Sequence, residues 1–190
     1  MKQMEEKILK EGKVLPGDIL KVGSFLNQNI DTVLLSQISE EIARVYEGCG
    51  VTKILTIEAS GIAIAAAAGM SRGVPVLFAK KHLTSNVDGD VYSTTVHSFT
   101  HGADYNVVVS RDYLLNTDKV LLVDDFLANG KALEGLIDLC EQAGAELVGV
   151  AIAVEKCFTG AGDRLRAQGV RIESLASIES MSEHEIVFRS

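Results

Sequence analysis

The stretch KVLLVDDFLANGKA, residues 119–132, runs from an apolar segment straight into two adjacent aspartates, then into a short polar loop and an amphipathic segment. Residues Val120 to Val123 are apolar without alternation, so they read as a strand buried on both faces. Strands of that kind belong to parallel sheets covered by helices. Asp124 and Asp125 follow, at the carboxyl end of the strand, where open parallel sheets bind ligands. Two neighbouring carboxylates repel unless sugar hydroxyls, a metal ion or its waters relieve them. The loop 128–132 opens a helix, and backbone N–H groups with the helix dipole favour an anion such as phosphate there. An acidic pair beside a phosphate cradle describes a phosphorylated sugar. A capped loop is one plain alternative. A phosphoacceptor of the receiver type is another, but its acidic pair lies near the chain start, whereas here 118 residues precede Lys119.

The same rhythm extends outward. Lys53–Ile57, Val74–Ala79, Tyr105–Ser110, Leu147–Val154 and Val170–Leu175 read as strands. An Ala-rich helix from Gly61 to Arg72 and a helix from Lys131 to Ala143, stopped by Gly144, lie between them. Alternating strands and helices predict an α/β fold with a central parallel sheet flanked by helices and right-handed crossovers. Nearer the N-terminus, Lys2–Glu11 reads as a helix ended by Gly12. Residues 13–29 read as irregular, with turns at Pro16-Gly17 and Gly23-Ser24. Asp31 can cap a helix running to Tyr46, whose apolar face is Leu34, Leu35, Ile38, Ile42 and Val45. The segment 80–104 breaks the pattern: it is polar, begins Lys80-Lys81-His82, and offers half of a hairpin in Tyr92–Phe99. A long polar excursion of this kind is a functional loop or a solvent-exposed arm.

Composition bounds the rest. The chain has 190 residues, 47% of them hydrophobic, which fits one ordered domain. Eighteen basic against 26 acidic residues give a net charge of −8, which argues against nucleic-acid binding driven by overall charge. The most apolar run, Ile62 to Met70, is nine residues, short of the roughly 20 needed to span a membrane. The charged start, MKQMEEK, does not read as a secretory signal. Cys49, Cys140 and Cys157 are odd in number and lack C-x-x-C spacing, so a reducing cytoplasmic setting is expected. The four histidines, at 82, 97, 101 and 184, have no metal-ligand spacing.

Residues 119–132 resemble the 5-phosphoribosyl 1-diphosphate (PRPP) signature of type I phosphoribosyltransferases, a strand, two acidic residues and an Ala-Thr-Gly-Gly-Thr loop. Here Asn129, Lys131 and Ala132 replace a Thr, the second Gly and the last Thr. Two hydroxyl donors are lost, and the Asn129 amide can replace one. The Asn-Gly form of the loop resembles the xanthine-using members of that family. The resemblance extends to LKVGSFLN (20–27), ILTIEASGIA (54–63) and VEKCF (154–158).

The resemblance implies the type I fold on a single domain, with hood segments at about 1–30 and 155–190 and a mobile loop at about 80–104 that closes over PRPP. It implies that xanthine and PRPP give XMP and pyrophosphate in purine salvage, with Mg²⁺ carried by PRPP and no direct metal ligand from the protein. Asp124 and Asp125 would hold the ribose hydroxyls, and Ala128, Asn129, Gly130, Lys131 and Ala132 the 5′-phosphate. Glu58, Ala59, Ser60 and Gly61 would face the pyrophosphate, while Leu20, Asn27 and Lys156 would contact xanthine. No protein nucleophile is implied. The family also implies a cytoplasmic homodimer. Two alternatives stay open: a guanine- or hypoxanthine-preferring enzyme, and a non-catalytic nucleotide-sensing regulator on the same fold. From the residues alone, Ser60 reads as a helix cap, Asn27 as a turn residue and Lys156 as a solvated charge closing a strand.

Overall fold

A computed structural model of the chain describes residues 1–81, 89–98 and 103–189. The elements run α1 (Lys2–Glu11), β1 (Lys13–Leu15), β2 (Ile19–Lys21), a π-helical turn (Gly23–Asn27), α2 (Thr32–Val45), β3 (Lys53–Ile57), α3 (Gly61–Arg72) and β4 (Val76–Ala79). They continue with β5 (Val91–Ser98), β6 (Ala103–Ser110), β7 (Lys119–Leu127), α4 (Lys131–Ala143), β8 (Glu146–Lys156), a 3₁₀ turn (Cys157–Thr159), α5 (Ala161–Ala167), β9 (Ile172–Met181) and β10 (Ile186–Phe188).

The main sheet has the order β10-β9-β8-β7-β3-β4. Every pair in it is parallel except β10, which turns back along β9. On β7, Leu122 stands opposite Leu55 of β3 and Val150 of β8. Successive residues of β7 feed two cores. Leu121 and Val123 pack with Ile38, Ile42 and Ile64 of α2 and α3. Val120 and Leu122 pack with Leu136 and Leu139 of α4. That double burial is why the strand carries no polar alternation.

The helices follow local rules. Asp31 Oδ1 accepts from the Val33 and Leu34 N–H groups at 3.1 Å each, capping α2. Its Oδ2 takes the Lys7 ammonium at 2.8 Å, tying α1 to the start of α2. Gly144 ends α4 in the left-handed region at φ +67°.

The structure differs from the sequence reading in three places. Residues 13–29 are ordered: β1 and β2 form an antiparallel hairpin with Leu15 opposite Ile19, and a π-helical turn follows. Three-residue strands are too short to show periodicity. The stretch Tyr105–Ser110 is part of β6, which pairs with β5 in a separate antiparallel ribbon. That ribbon lies over α4, where a Cβ on Gly135 would stand 2.6 Å from Val96 Cγ2, and it bridges to the main sheet through Lys80 and Val108. His82 and most of the polar run after it, with Phe99, lie outside the described residues. Finally, β7, β8 and β9 run past their apolar cores, to Leu127, Lys156 and Met181, and α5 and β10 have no clear periodic signal in the sequence. The extension matters because it puts Asp124, Asp125 and Lys156 on strands.

Tyr46 closes one end of the first core. Its ring lies under Gly149, its hydroxyl donates to Val150 O at 2.8 Å, and the Arg171 guanidinium stacks on it at 4.5 Å. A Cβ on Gly149 would stand 2.6 Å from the Tyr46 ring. Gly149→Ala is therefore expected to lower unfolding stability by about 1–3 kcal/mol in urea titration, the usual range for overpacking a core.

Candidate active site

The carboxyl ends of β3, β7 and β8 bring three loops together. Asp124 and Asp125 are each only 8% exposed at the end of β7. Their neighbouring amides hold them: the Asp125 N–H donates to Asp124 Oδ1 and the Phe126 N–H to Asp125 Oδ1, both at 3.0 Å. Burial first, and then the charge of Asp125, push the Asp124 carboxyl well above the ordinary aspartate range, while Lys81 pulls the other way. Burial and the Asp124 charge in turn push the Tyr105 phenol up.

The loop after β7 turns on a glycine into the start of α4. Gly130 adopts φ +84°, and a Cβ there would stand 3.2 Å from Ala161 Cβ and 3.3 Å from Arg164 Nη2. Only glycine fits that bend under α5. Asn129 Oδ1 accepts the Lys131 N–H at 3.0 Å, which leaves its NH₂ group as a donor. Lys131 and Ala132 are already the first residues of α4. The Glu134 carboxylate holds two cations there, Lys131 Nζ at 2.8 Å and Arg164 Nη2 at 2.7 Å.

The loop after β3 leads into the start of α3. The peptide between Glu58 and Ala59 is cis. The Glu58 N–H bonds Ala79 O at 3.1 Å, and Glu58 Oε1 accepts the Lys81 N–H at 2.6 Å. Ser60 occupies the N-cap of α3 without a side-chain hydrogen bond into the helix. Its hydroxyl is thus not spent on the helix, while the Ile62 N–H bonds Ala59 O at 3.2 Å. A cleft of about 410 Å³ opens beside this loop, lined by Ala59, Ser60, Asn27, Gln28 and Lys81 among others.

Lys156, the last residue of β8, approaches the N-terminal hairpin from the other side. Its Nζ donates to Asp18 O at 2.7 Å and stands 5.7 Å from the centre of the Phe126 ring. Burial holds this ammonium below the ordinary lysine range, with Asp18 opposing. Asn27 is thus brought to Ser60 and Lys81, and Lys156 to the hairpin that carries Leu20. Leu20 itself is buried, opposite Val14 in the hairpin.

Several contributors carry no signal in the sequence. Thr159 Oγ1 lies 2.6 Å from Ala128 O and 2.8 Å from Lys156 O, linking the phosphate-type loop to the end of β8. Next to Lys156, the almost fully buried Glu155 accepts from Nη1 and Nη2 of Arg166, at 2.8 and 2.6 Å, and from the Ser174 hydroxyl. Burial alone would raise the Glu155 carboxyl, but these bonds hold it below the usual range. Glu134, three residues beyond Lys131, is the one partner that helix spacing could have revealed.

With strand ends, acidic pair and two anion loops in view, comparison with known proteins becomes decisive. Residues 32–166 match the phosphoribosyl transferase domain. The chain belongs to the phosphoribosyltransferase family. It is 54% identical over 192 residues to the xanthine phosphoribosyltransferase of Bifidobacterium longum subsp. infantis, covering all of both chains. It is 50% identical over 188 residues to that of Finegoldia magna, covering 99% of each. Among solved structures, it resembles the Giardia lamblia adenine phosphoribosyltransferase complexed with 9-deazaadenine, with TM-score 0.78 at 23% identity, over 90% of this chain and 96% of that one. That likeness is one of fold, and it agrees with the parallel sheet flanked by helices.

The Glu155–Arg166 pair lies next to Lys156 in the chain. Arg166→Ala would strand a buried carboxylate and is expected to cost about 3 kcal/mol of unfolding free energy, read by urea titration. Glu155→Gln, which keeps the shape and can still hydrogen-bond, is expected to cost less.

Proposed function

We propose that this protein is a xanthine phosphoribosyltransferase of purine salvage, converting xanthine and PRPP to XMP and pyrophosphate. The observation that carries the reading is the buried pair Asp124–Asp125 standing between two anion-facing loops, 58–61 and 128–132. The full-length relatives at 50–54% identity that bear this name support the choice of base.

In this reading the acidic pair accepts the ribose hydroxyls, which relieve the repulsion between the carboxylates. Residues 128–132 hold the 5′-phosphate through the α4 amides, the Asn129 NH₂ and Lys131. Glu58 to Gly61 hold the pyrophosphate, with Lys81 beside them. Xanthine N9 then bonds to the anomeric carbon as the carbon–oxygen bond to pyrophosphate breaks, and the N9 proton is released. No side chain acts as nucleophile; rate comes from positioning and from fixed donors around the leaving group. The adjacent carboxylates are hard oxygen donors of the kind Mg²⁺ reaches through its waters, so Asp124 and Asp125 fit a metal carried by the diphosphate. When bound, that ion would offset charge on the leaving group.

For the base, the hairpin 13–21, the turn 23–27 and the segment after β8 form a hood. Lys156 has three donors, and only one is spent on Asp18 O. It can therefore meet an oxo group without leaving the hairpin. Asn27 supplies the donor for the 2-oxo group, and the Leu20 main chain completes the site. We place the enzyme in the cytosol, which its three unpaired cysteines support. We also read it as a homodimer, which the exposed apolar side chains of Val33, Met70 and Phe78 support. No described helix is long and apolar enough to cross a membrane.

The deciding experiment compares initial rates with xanthine, guanine, hypoxanthine and adenine at fixed PRPP. Hypoxanthine lacks the 2-oxo acceptor, so it is expected to lose about tenfold to a hundredfold in kcat/KM, as an unpaired buried donor costs about 1–3 kcal/mol. Equal or faster use of hypoxanthine refutes the choice of base.

A second measurement concerns Lys156. Because burial lowers its pKa, the ammonium is lost at a lower pH than in a free lysine. The ratio of xanthine KM in the wild type to that in Lys156→Arg is expected to rise with pH, since Arg stays charged throughout. Taking the ratio cancels the ionisation of xanthine itself. A flat ratio removes Lys156 from the base site.

A further inference from the structure

Thr56 is the polar interruption in an otherwise aliphatic run of β3, between Leu55 and Ile57. It is fully buried, and its Oγ1 has no hydrogen-bond partner among the described residues. A buried hydroxyl in that state destabilises a fold relative to an isosteric valine. Strand propensity does not explain its presence either, because valine serves a strand equally well.

The neighbourhood does explain it. The point where a Cβ on Gly61 would stand is 2.7 Å from Asp124 Oδ1, and closer still to Thr56 Oγ1. The hydroxyl and the carboxylate therefore border one small gap under the start of α3, kept open because residue 61 has no side chain. Asp124 Oδ1 is held by the Asp125 N–H, and no hydrogen bond joins the carboxylate to Thr56. The other charged or titratable groups bearing on Asp124 are Asp125 on its own strand, Lys81 after β4 and Tyr105 on β6. The Tyr105 phenol is the neutral donor of the three, and among the described residues no hydrogen bond joins it to the carboxylate.

We propose that Thr56 is a positioning residue for Asp124. Its hydroxyl, idle in the resting protein, turns to donate to the Asp124 carboxylate when that carboxylate takes up the ribose hydroxyls of PRPP, and Gly61 provides the gap in which the two meet. The bond fixes the carboxylate from behind and adds no charge to the site. This rests on the reading of the acidic pair as the ribose site.

Thr56→Val and Thr56→Ser test it. Thermal unfolding and initial rates are measured for both, with PRPP varied at saturating xanthine. Thr56→Val is expected to unfold at the same temperature as wild type or higher, since it removes an unpaired hydroxyl. Its kcat/KM for PRPP is expected to fall about tenfold, which is about 1.4 kcal/mol, while KM for xanthine stays within about twofold. Thr56→Ser, which keeps the donor, is expected to stay within about threefold of wild type.

Wild-type kcat/KM in Thr56→Val overturns the proposal. So does an equal loss in Thr56→Ser, or a loss that comes only with a lowered unfolding temperature, because each makes the side chain structural. A wild type that releases no pyrophosphate from PRPP overturns the active-site reading and this proposal with it. A wild type that turns over, matched by Thr56→Val, overturns the Thr56 proposal alone.

Discussion

Two carboxylates lie side by side at the end of a strand whose preceding residues are aliphatic and buried. Burial disfavours the charged form of Asp124, and the charge of Asp125 beside it adds to that. The fold supplies partial relief: the two amides that follow them, the Lys81 ammonium, and the amino end of α3 above Gly61. The Asp124 carboxyl nevertheless stays well above its ordinary range. In the proposed reading, a ligand that brings hydroxyl donors relieves this repulsion, which favours a polyhydroxylated sugar. The sheet is what makes the pair rigid, because β7 lies between β3 and β8 with both faces covered.

The loops around the pair are joined to one another by single polar contacts. Thr159 bridges the loop after β7 to the end of β8. Lys156 bridges β8 to the N-terminal hairpin, and Glu58 bridges the loop after β3 to Lys81. Each contact uses a main-chain carbonyl or amide on one side, so geometry survives variation in the residue that offers it. The buried Glu155–Arg166 pair differs in kind. Its two ends are costly to separate, and it fixes the strand end from which Lys156 projects.

Periodicity made the regular elements legible. Lys53–Ile57, Gly61–Arg72 and Lys131–Ala143 are found with the expected ends, since each carries an unbroken pattern bounded by a glycine or a polar residue. The hairpin at 13–21 was not legible, because three-residue strands contain less than two full alternations. Tyr105–Ser110 was legible as a strand, but not as a member of the separate ribbon: pairing partners are a tertiary property. The placing of Asp124–Asp125 on a core strand and of the Asn129–Lys131 loop at a helix start was legible, since an apolar run and an amphipathic segment flank them. Ser60 illustrates the limit. Its sequence context reads as a cap, yet it makes no cap hydrogen bond, and nothing in one sequence separates those states. Thr159, Asp18 and Arg164 act through contacts between segments 30 or more residues apart.

The departures in the phosphate-type loop compensate one another. Where two hydroxyls are lost, the Asn129 carbonyl accepts the Lys131 N–H, so the turn is stabilised and the NH₂ group is left as a donor. Lys131 then adds a cation at the start of α4, where the helix dipole is least favourable to positive charge. Glu134, one turn on, offsets that penalty by holding Lys131 and Arg164 together. A phosphate arriving at this loop meets two cations already aligned by one carboxylate, with little side-chain freedom left to lose. In the proposed reading, hydroxyl donors are thus exchanged for a charge cluster that Glu134 holds in place.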